Sequence, residues 1–98
     1  MKPFAERLQE DQRLVILRLL ARQNSYMANS SVLTDAMHHL GHALSRDIVK
    51  THLHWLAEQA LIAIDEPVEG VLVATLVERG ADVAAGRAVV PGVKRPGA

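Results

Sequence analysis

Apolar and polar positions recur along this chain with two periods, helical at first and β-type after residue 60. Between Phe4 and Ala21, Phe4, Leu8, Val15 and Leu19 form one helical stripe, with Leu14, Leu17 and Ala21 beside it. Ile16 and Leu20 widen the stripe until the predicted helix is apolar nearly all round near its end, which places it at the centre of a core or in a subunit interface. Pro3 suits the first helical position, where its missing N–H is harmless. Asn24, Ser25 and Asn29 mark residues 23–29 as a loop. Asn29 or Ser30 then caps a second helix carrying Val32, Leu33, Ala36, Met37 and Leu40, and Gly41 ends it. A short link of His42, Ala43 and Leu44 leads to Ser45, the cap of a third helix from residue 46 to about 59. Val49, Leu53 and Leu56 are its buried stripe, and Asp47 complements the helix dipole.

After Ala60 the period shortens. Leu61, Ile62, Ala63 and Ile64 read as a strand, residues 66–70 as a Pro/Gly turn, and Val71 to Ala74 as a second strand, together a β-hairpin. Thr75 and Glu78 stand three apart, as in a capping box, and predict a fourth helix with Leu76, Val83 and Ala84 that stops at Gly86. The predicted fold is mainly α (α+β): a winged helix-turn-helix over residues 1–86, followed by a mobile basic tail over 87–98. The short link favours a crossed pair of second and third helices, and the hairpin after them is the wing.

Composition narrows this further. The chain of 98 residues is 49% hydrophobic, enough for one domain with one modest core. Phe4, Tyr26 and Trp55 are its only aromatic residues, so that core is aliphatic. Cysteine is absent, which excludes a thiolate metal site or a cysteine nucleophile. The longest apolar run is broken by Arg18 and too short for a membrane span. Early acids and the lack of a cleavage-type segment lead us to expect a cytoplasmic protein. The balance of 11 basic against 11 acidic residues changes the picture most, because affinity for DNA rests largely on phosphate neutralisation. A neutral chain must segregate its charge, multiply it by assembly, or bind DNA weakly.

Residues 45–62, running Ser45-Arg46-Asp47-Ile48-Val49-Lys50-Thr51-His52-Leu53 and onward to Leu61-Ile62, resemble the recognition-helix segment of winged-helix regulators of the ArsR and MarR type. Thr75-Leu76-Val77-Glu78-Arg79-Gly80 resembles the opening of the helix that follows their wing. The whole chain is similar to small ArsR-like proteins of Mu-like prophages, through Asp11-Gln12-Arg13-Leu14-Val15-Ile16-Leu17-Arg18-Leu19-Leu20, Asn29-Ser30-Ser31-Val32-Leu33, the third helix, and Pro91-Gly92-Val93-Lys94-Arg95-Pro96. That resemblance implies DNA binding. It departs at Ala60, where winged helices usually carry glycine; a left-handed backbone there costs alanine about 1 kcal/mol.

With Val49, Leu53 and Leu56 buried, the third helix presents Asp47, Thr51, His54 and Glu58 outward, flanked by Arg46 and Lys50. In a helix-turn-helix the first turns of this helix meet base edges, so the candidate DNA-binding residues are Ser45, Arg46, Lys50, Thr51 and His54. Arg46 suits guanine acceptors; Ser30 and Ser31 suit a phosphate at the start of the second helix. The bland reading is a solvated face with a local ion pair. The wing tip carries Asp65, Glu66 and Glu69 without a basic residue, so it is not expected to grip DNA; Lys94, Arg95 or the arginines of the first helix would have to add positive potential.

All five histidines (His38, His39, His42, His52 and His54) fall in one stretch. His38 and His42 have the spacing of helical zinc ligands, but Gly41 falls between them and no carboxylate completes a set, so no metal or other cofactor is expected. They read as surface or half-buried histidines. No nucleophile elbow, phosphate loop or rigid carboxylate pair points to an enzyme or to a small-molecule ligand. The leading expectation is a homodimeric transcription regulator that binds double-stranded DNA, of the phage or prophage type, with the first and fourth helices as the dimer surface. The alternative is a non-enzymatic winged-helix adaptor binding protein in phage assembly or packaging, favoured by the neutral charge and the acidic wing.

Overall fold

A computed structural model describes residues 1–97. It contains four helices and a three-stranded antiparallel sheet: α1 (Phe4–Ala21), β1 (Met27–Asn29), α2 (Ser30–His39), α3 (Arg46–Glu58), β2 (Ile62–Val68), β3 (Val71–Leu76) and α4 (Glu78–Ala84). The helix boundaries follow the apolar periods closely. Asn29 caps α2 by accepting from the Val32 N–H at 2.8 Å, and Ser45 caps α3 by accepting from the Ile48 N–H at 3.1 Å. Each such cap supplies about 1 kcal/mol.

The sheet has β3 at its centre, in the order β1-β3-β2. The sequence reading missed β1. Three residues are too few to show a period of two, and the polar segment before them reads as loop throughout. A turn with Ser25 at φ 60° and Tyr26 at φ 57° aims Met27–Asn29 along β3, pairing Met27 with Thr75 and Asn29 with Val73. The hairpin is longer than its apolar runs. Ile62 pairs with Leu76 and Asp65 with Val73; the register then shifts, and Val68 pairs with Val71. Pro67 lies in the irregular stretch, which a residue without an N–H tolerates on an edge strand.

The core forms where Leu14, Ile16, Leu17 and Leu20 of α1 meet Leu33 and Met37 of α2, Val49, Leu53 and Leu56 of α3, and the inner face of the sheet. On α1 the covered face therefore runs through Ile16 and Leu20. The stripe of Phe4, Leu8, Val15 and Leu19 is the outer one: Phe4 is 74% exposed, Leu8 is 37% exposed, and Val15 and Leu19 are half-buried.

Three expectations need correction. Thr75 pairs within β3 with Met27 and Ala63, so it cannot cap; α4 starts after Val77 with no side-chain cap bond. The apolar residues of α4 turn into the chain's own core, Val83 and Ala84 buried and Ala81 half-buried against it, so α4 does not present the expected aliphatic dimer surface. Finally, the segment beyond residue 86, expected as a mobile tail, packs back on the domain. Val90 and Val93 are buried, the Lys94 N–H donates to the Glu10 carbonyl at 3.1 Å, and the Arg13 Nη1 donates to the Gly92 carbonyl at 3.0 Å. The prolines and glycines there prevent regular structure without preventing burial. Gly92, at φ +99°, passes so close to the Trp55 ring that a Cβ would sit 2.6 Å from it.

Ala60 does take the left-handed conformation, at φ 60°, in the turn from α3 to β2. Its Cβ there costs about 1 kcal/mol relative to glycine.

Candidate nucleic-acid interface

The exposed side of α3 follows from its buried one. Val49, His52, Leu53 and Leu56 face the core, which leaves Arg46, Asp47, Thr51, His54 and Glu58 in solvent and Lys50 half-buried. The first turn is the part a groove can admit, and it holds Ser45, Arg46 and Asp47. The Ser45 hydroxyl is committed to its cap, and the Thr51 hydroxyl donates to the Asp47 carbonyl at 3.0 Å. Among the described residues, neither Arg46 nor Lys50 makes an ion pair. Lys50 leans toward the hairpin turn, where its Nζ is 4.0 Å from the place a Cβ on Gly70 would take.

Ser30 is withdrawn from the proposed contact set. It is buried, its hydroxyl accepts from the Leu72 N–H of β3 at 3.3 Å, and its carbonyl accepts from the Thr34 hydroxyl at 2.7 Å. It anchors α2 to the sheet. Ser31, half-buried in the first turn of α2, keeps its place at the helix N-terminus.

The hairpin tip is acidic and ordered by its own carboxylates. Asp65 accepts from the Glu66 N–H at 3.0 Å, and Glu66 accepts from the Gly70 N–H at 2.8 Å. Five other cations are engaged away from the exposed face of α3. Lys2 pairs with Glu10, Arg87 with Asp82, and Lys94 with Asp11, while Arg18 and Arg22 line a depression between α1 and Leu40.

Beneath α3 lies a polar cluster that the sequence reading did not find. The His52 Nδ1 accepts from Arg13 Nε at 3.3 Å, and its Nε2 meets the Gln12 Oε1 at 2.9 Å. An imidazole that accepts at Nδ1 carries its proton on Nε2 and donates it to the amide oxygen, so the ring is neutral. Burial, with the Arg13 charge adding to it, lowers the His52 pKa to about 4. Burial likewise lowers the Arg13 pKa, with Glu10 opposing the shift. The Arg13 guanidinium stacks 4.0 Å from the Trp55 ring centroid, an arrangement that favours both groups. One arginine thus joins α1, α3 and the C-terminal segment. The signal was present in the spacing: Gln12 precedes Ile16 by four residues and Leu20 by eight, and His52 lies between Val49 and Leu56 on the buried stripe.

The other histidines stand apart from this cluster. His38 Nε2 bonds the Leu44 carbonyl at 2.8 Å, within the link that turns α2 into α3. His42 lies 3.6 Å from an Asp11 carboxylate oxygen. Among the described residues, no group of three or more His, Asp or Glu is arranged to hold a metal ion.

The chain is 53% identical over 89 residues to an uncharacterized protein, gp26, of Escherichia phage Mu, a match covering 91% of each chain. It is 45% identical over 76 residues to an uncharacterized protein of Haemophilus influenzae, covering 78% of this chain and 74% of that one. No protein-family model matches it. No solved structure matches it either.

Proposed function

We propose that this chain, which belongs to the family of the phage Mu protein gp26, is a winged helix-turn-helix protein that binds double-stranded DNA through α3 and regulates phage or prophage genes. One observation carries the reading. The order α1-β1-α2-α3-β2-β3 with the sheet order β1-β3-β2 leaves Arg46 at the start of α3 exposed and Lys50 half-buried beside it, neither with a carboxylate partner among the described residues. Arg46 is the base-reading residue, its planar fork matched to two guanine acceptors. Lys50 contacts phosphate, and Ser31 offers the start of α2 to another. Thr51 and His54 complete the outward face.

With few cations on α3, affinity is modest and falls as salt rises, with a slope set by the few phosphates they neutralise. The scattering of the other cations and the acidic tip favour a second reading, a protein-binding adaptor on the same fold. Titration of the chain into labelled duplexes, random and phage-promoter, at about 50 and 200 mM salt separates the two. A DNA-binding α3 gives salt-sensitive binding that Arg46→Ala weakens by about 1–3 kcal/mol in a sequence-dependent way and Lys50→Ala weakens uniformly. Absence of binding at low salt and tens of micromolar protein moves the assignment to the adaptor.

A further inference from the structure

The hairpin tip and the outer side of α1 complement each other, although they lie at different places on the molecule. The tip combines an apolar residue that nothing covers with an uncompensated negative charge. Val68 is 63% exposed, Pro67 beside it is exposed, and Asp65, Glu66 and Glu69 flank them. Lys50 of α3 reaches the turn at Gly70 but forms no ion pair with these carboxylates among the described residues, so the three acids leave the tip net negative.

The outer side of α1 carries the reverse combination. Val15 and Leu19, with Leu40 from the end of α2, line an open depression of about 170 Å³ whose only charged groups are Arg18 and Arg22. Neither arginine has a carboxylate partner among the described residues, and no acidic residue occurs in the sequence from Gln12 to Thr34. Leu40 is 55% exposed at the rim.

We propose that this depression receives the hairpin tip of a second copy of the chain, giving head-to-tail self-association. Val68 and Pro67 cover the apolar floor of Val15, Leu19 and Leu40, and Glu69 and Asp65 meet Arg18 and Arg22. The same charges disfavour a two-fold pairing of α1 through these patches, because it would set the arginine-lined depression of one copy against that of the other. The tip is already ordered by the bonds that Asp65 and Glu66 accept, so docking loses little conformational freedom. A head-to-tail contact between unlike surfaces closes into a ring or continues as a filament, whereas a two-fold contact stops at a dimer.

The test is sedimentation velocity over a concentration series, without DNA, on the wild type and two double variants. Arg18→Glu/Arg22→Glu alters only the depression, and Val68→Lys/Glu69→Lys only the tip. None of the four side chains makes a hydrogen bond or ion pair among the described residues. The wild type associates with rising concentration, and each variant alone raises the apparent Kd by about tenfold or more. An equimolar mixture of the two variants associates again, because the intact acidic tip of one meets the intact depression of the other. That rescue also shows that both variants fold. A wild type that stays monomeric to about 200 μM, association indifferent to both variants, or a mixture that fails to associate overturns the proposal. Arg46 and Lys50 are unchanged in every arm, so DNA binding is scored separately.

Discussion

His52 sits in the α1–α3 interface as a neutral ring, and that state makes the fold sensitive to acid. In the unfolded chain the imidazole titrates near 6.5, whereas in the folded chain burial holds it at about 4. Between those values the unfolded chain binds a proton that the folded chain refuses. The stability contributed is therefore complete above pH 6.5 and is lost as pH falls through the window to about 4, by up to about 3 kcal/mol. Urea unfolding at pH 7.5 and 4.5 measures the loss, and in His52→Gln the part due to this ring disappears. Equal pH dependence in the two proteins would place the sensitivity elsewhere. Gln12 and His52 stand at core spacing, yet His52 reads from the sequence as one of five surface or half-buried histidines, whereas it is buried. What could not be read was that they meet: they are 40 positions apart, and no local pattern ties one to the other. Ser30 went wrong for the same reason. As a helix-start serine it has two uses, and only the path of β3 decides that its hydroxyl serves the sheet.

Among the elements, the long helices were legible because each carries enough turns to show its apolar face. The short or irregular elements were not. β1 has three residues, and its pairing depends on two left-handed residues, Ser25 and Tyr26, that propensity would not place there. Thr75 and Glu78 mimic a helix start, but strand pairing keeps Thr75 in the sheet. The C-terminal segment is the largest such difference. Its composition reads as mobile, yet Val90 and Val93 are buried and Gly92 lies against Trp55. Ending the chain at Ala88 removes two buried valines worth about 1.5–3 kcal/mol each. A thermal melt of that shortened chain should fall by more than about 10 °C, a shift expected of a domain this size losing a few kcal/mol. An unchanged melt would mean that the segment adds no stability.

For the whole molecule, the neutral balance of charge is the fact that the proposed DNA binding has to accommodate. Six of the eleven basic residues are engaged elsewhere than on the exposed face of α3: Arg13 lies half-buried against His52 and Trp55, Lys2, Arg87 and Lys94 are paired, and Arg18 and Arg22 flank Leu40. What α3 itself offers the groove is a short stretch with Arg46 and Lys50, neither in an ion pair among the described residues, and a capped N-terminus. Head-to-tail association would repeat that stretch along a DNA and raise its avidity without any new contact. It would also occupy the acidic tip, which otherwise repels phosphate. The α+β class was legible because every long element announces itself locally. The candidate site was legible only as a face, because the partners that compete for its charges come from distant parts of the chain.

The most direct test of DNA binding through α3 is an amide NMR footprint of the isotope-labelled protein, recorded as a short duplex is added at low salt. If α3 enters the groove, the signals that move cluster at residues 45–54 and at Ser31, and they return as salt is raised. Shifts confined to the hairpin tip and the Leu19–Leu40 depression, or no shifts at all, would contradict DNA binding and leave the surface to a protein partner.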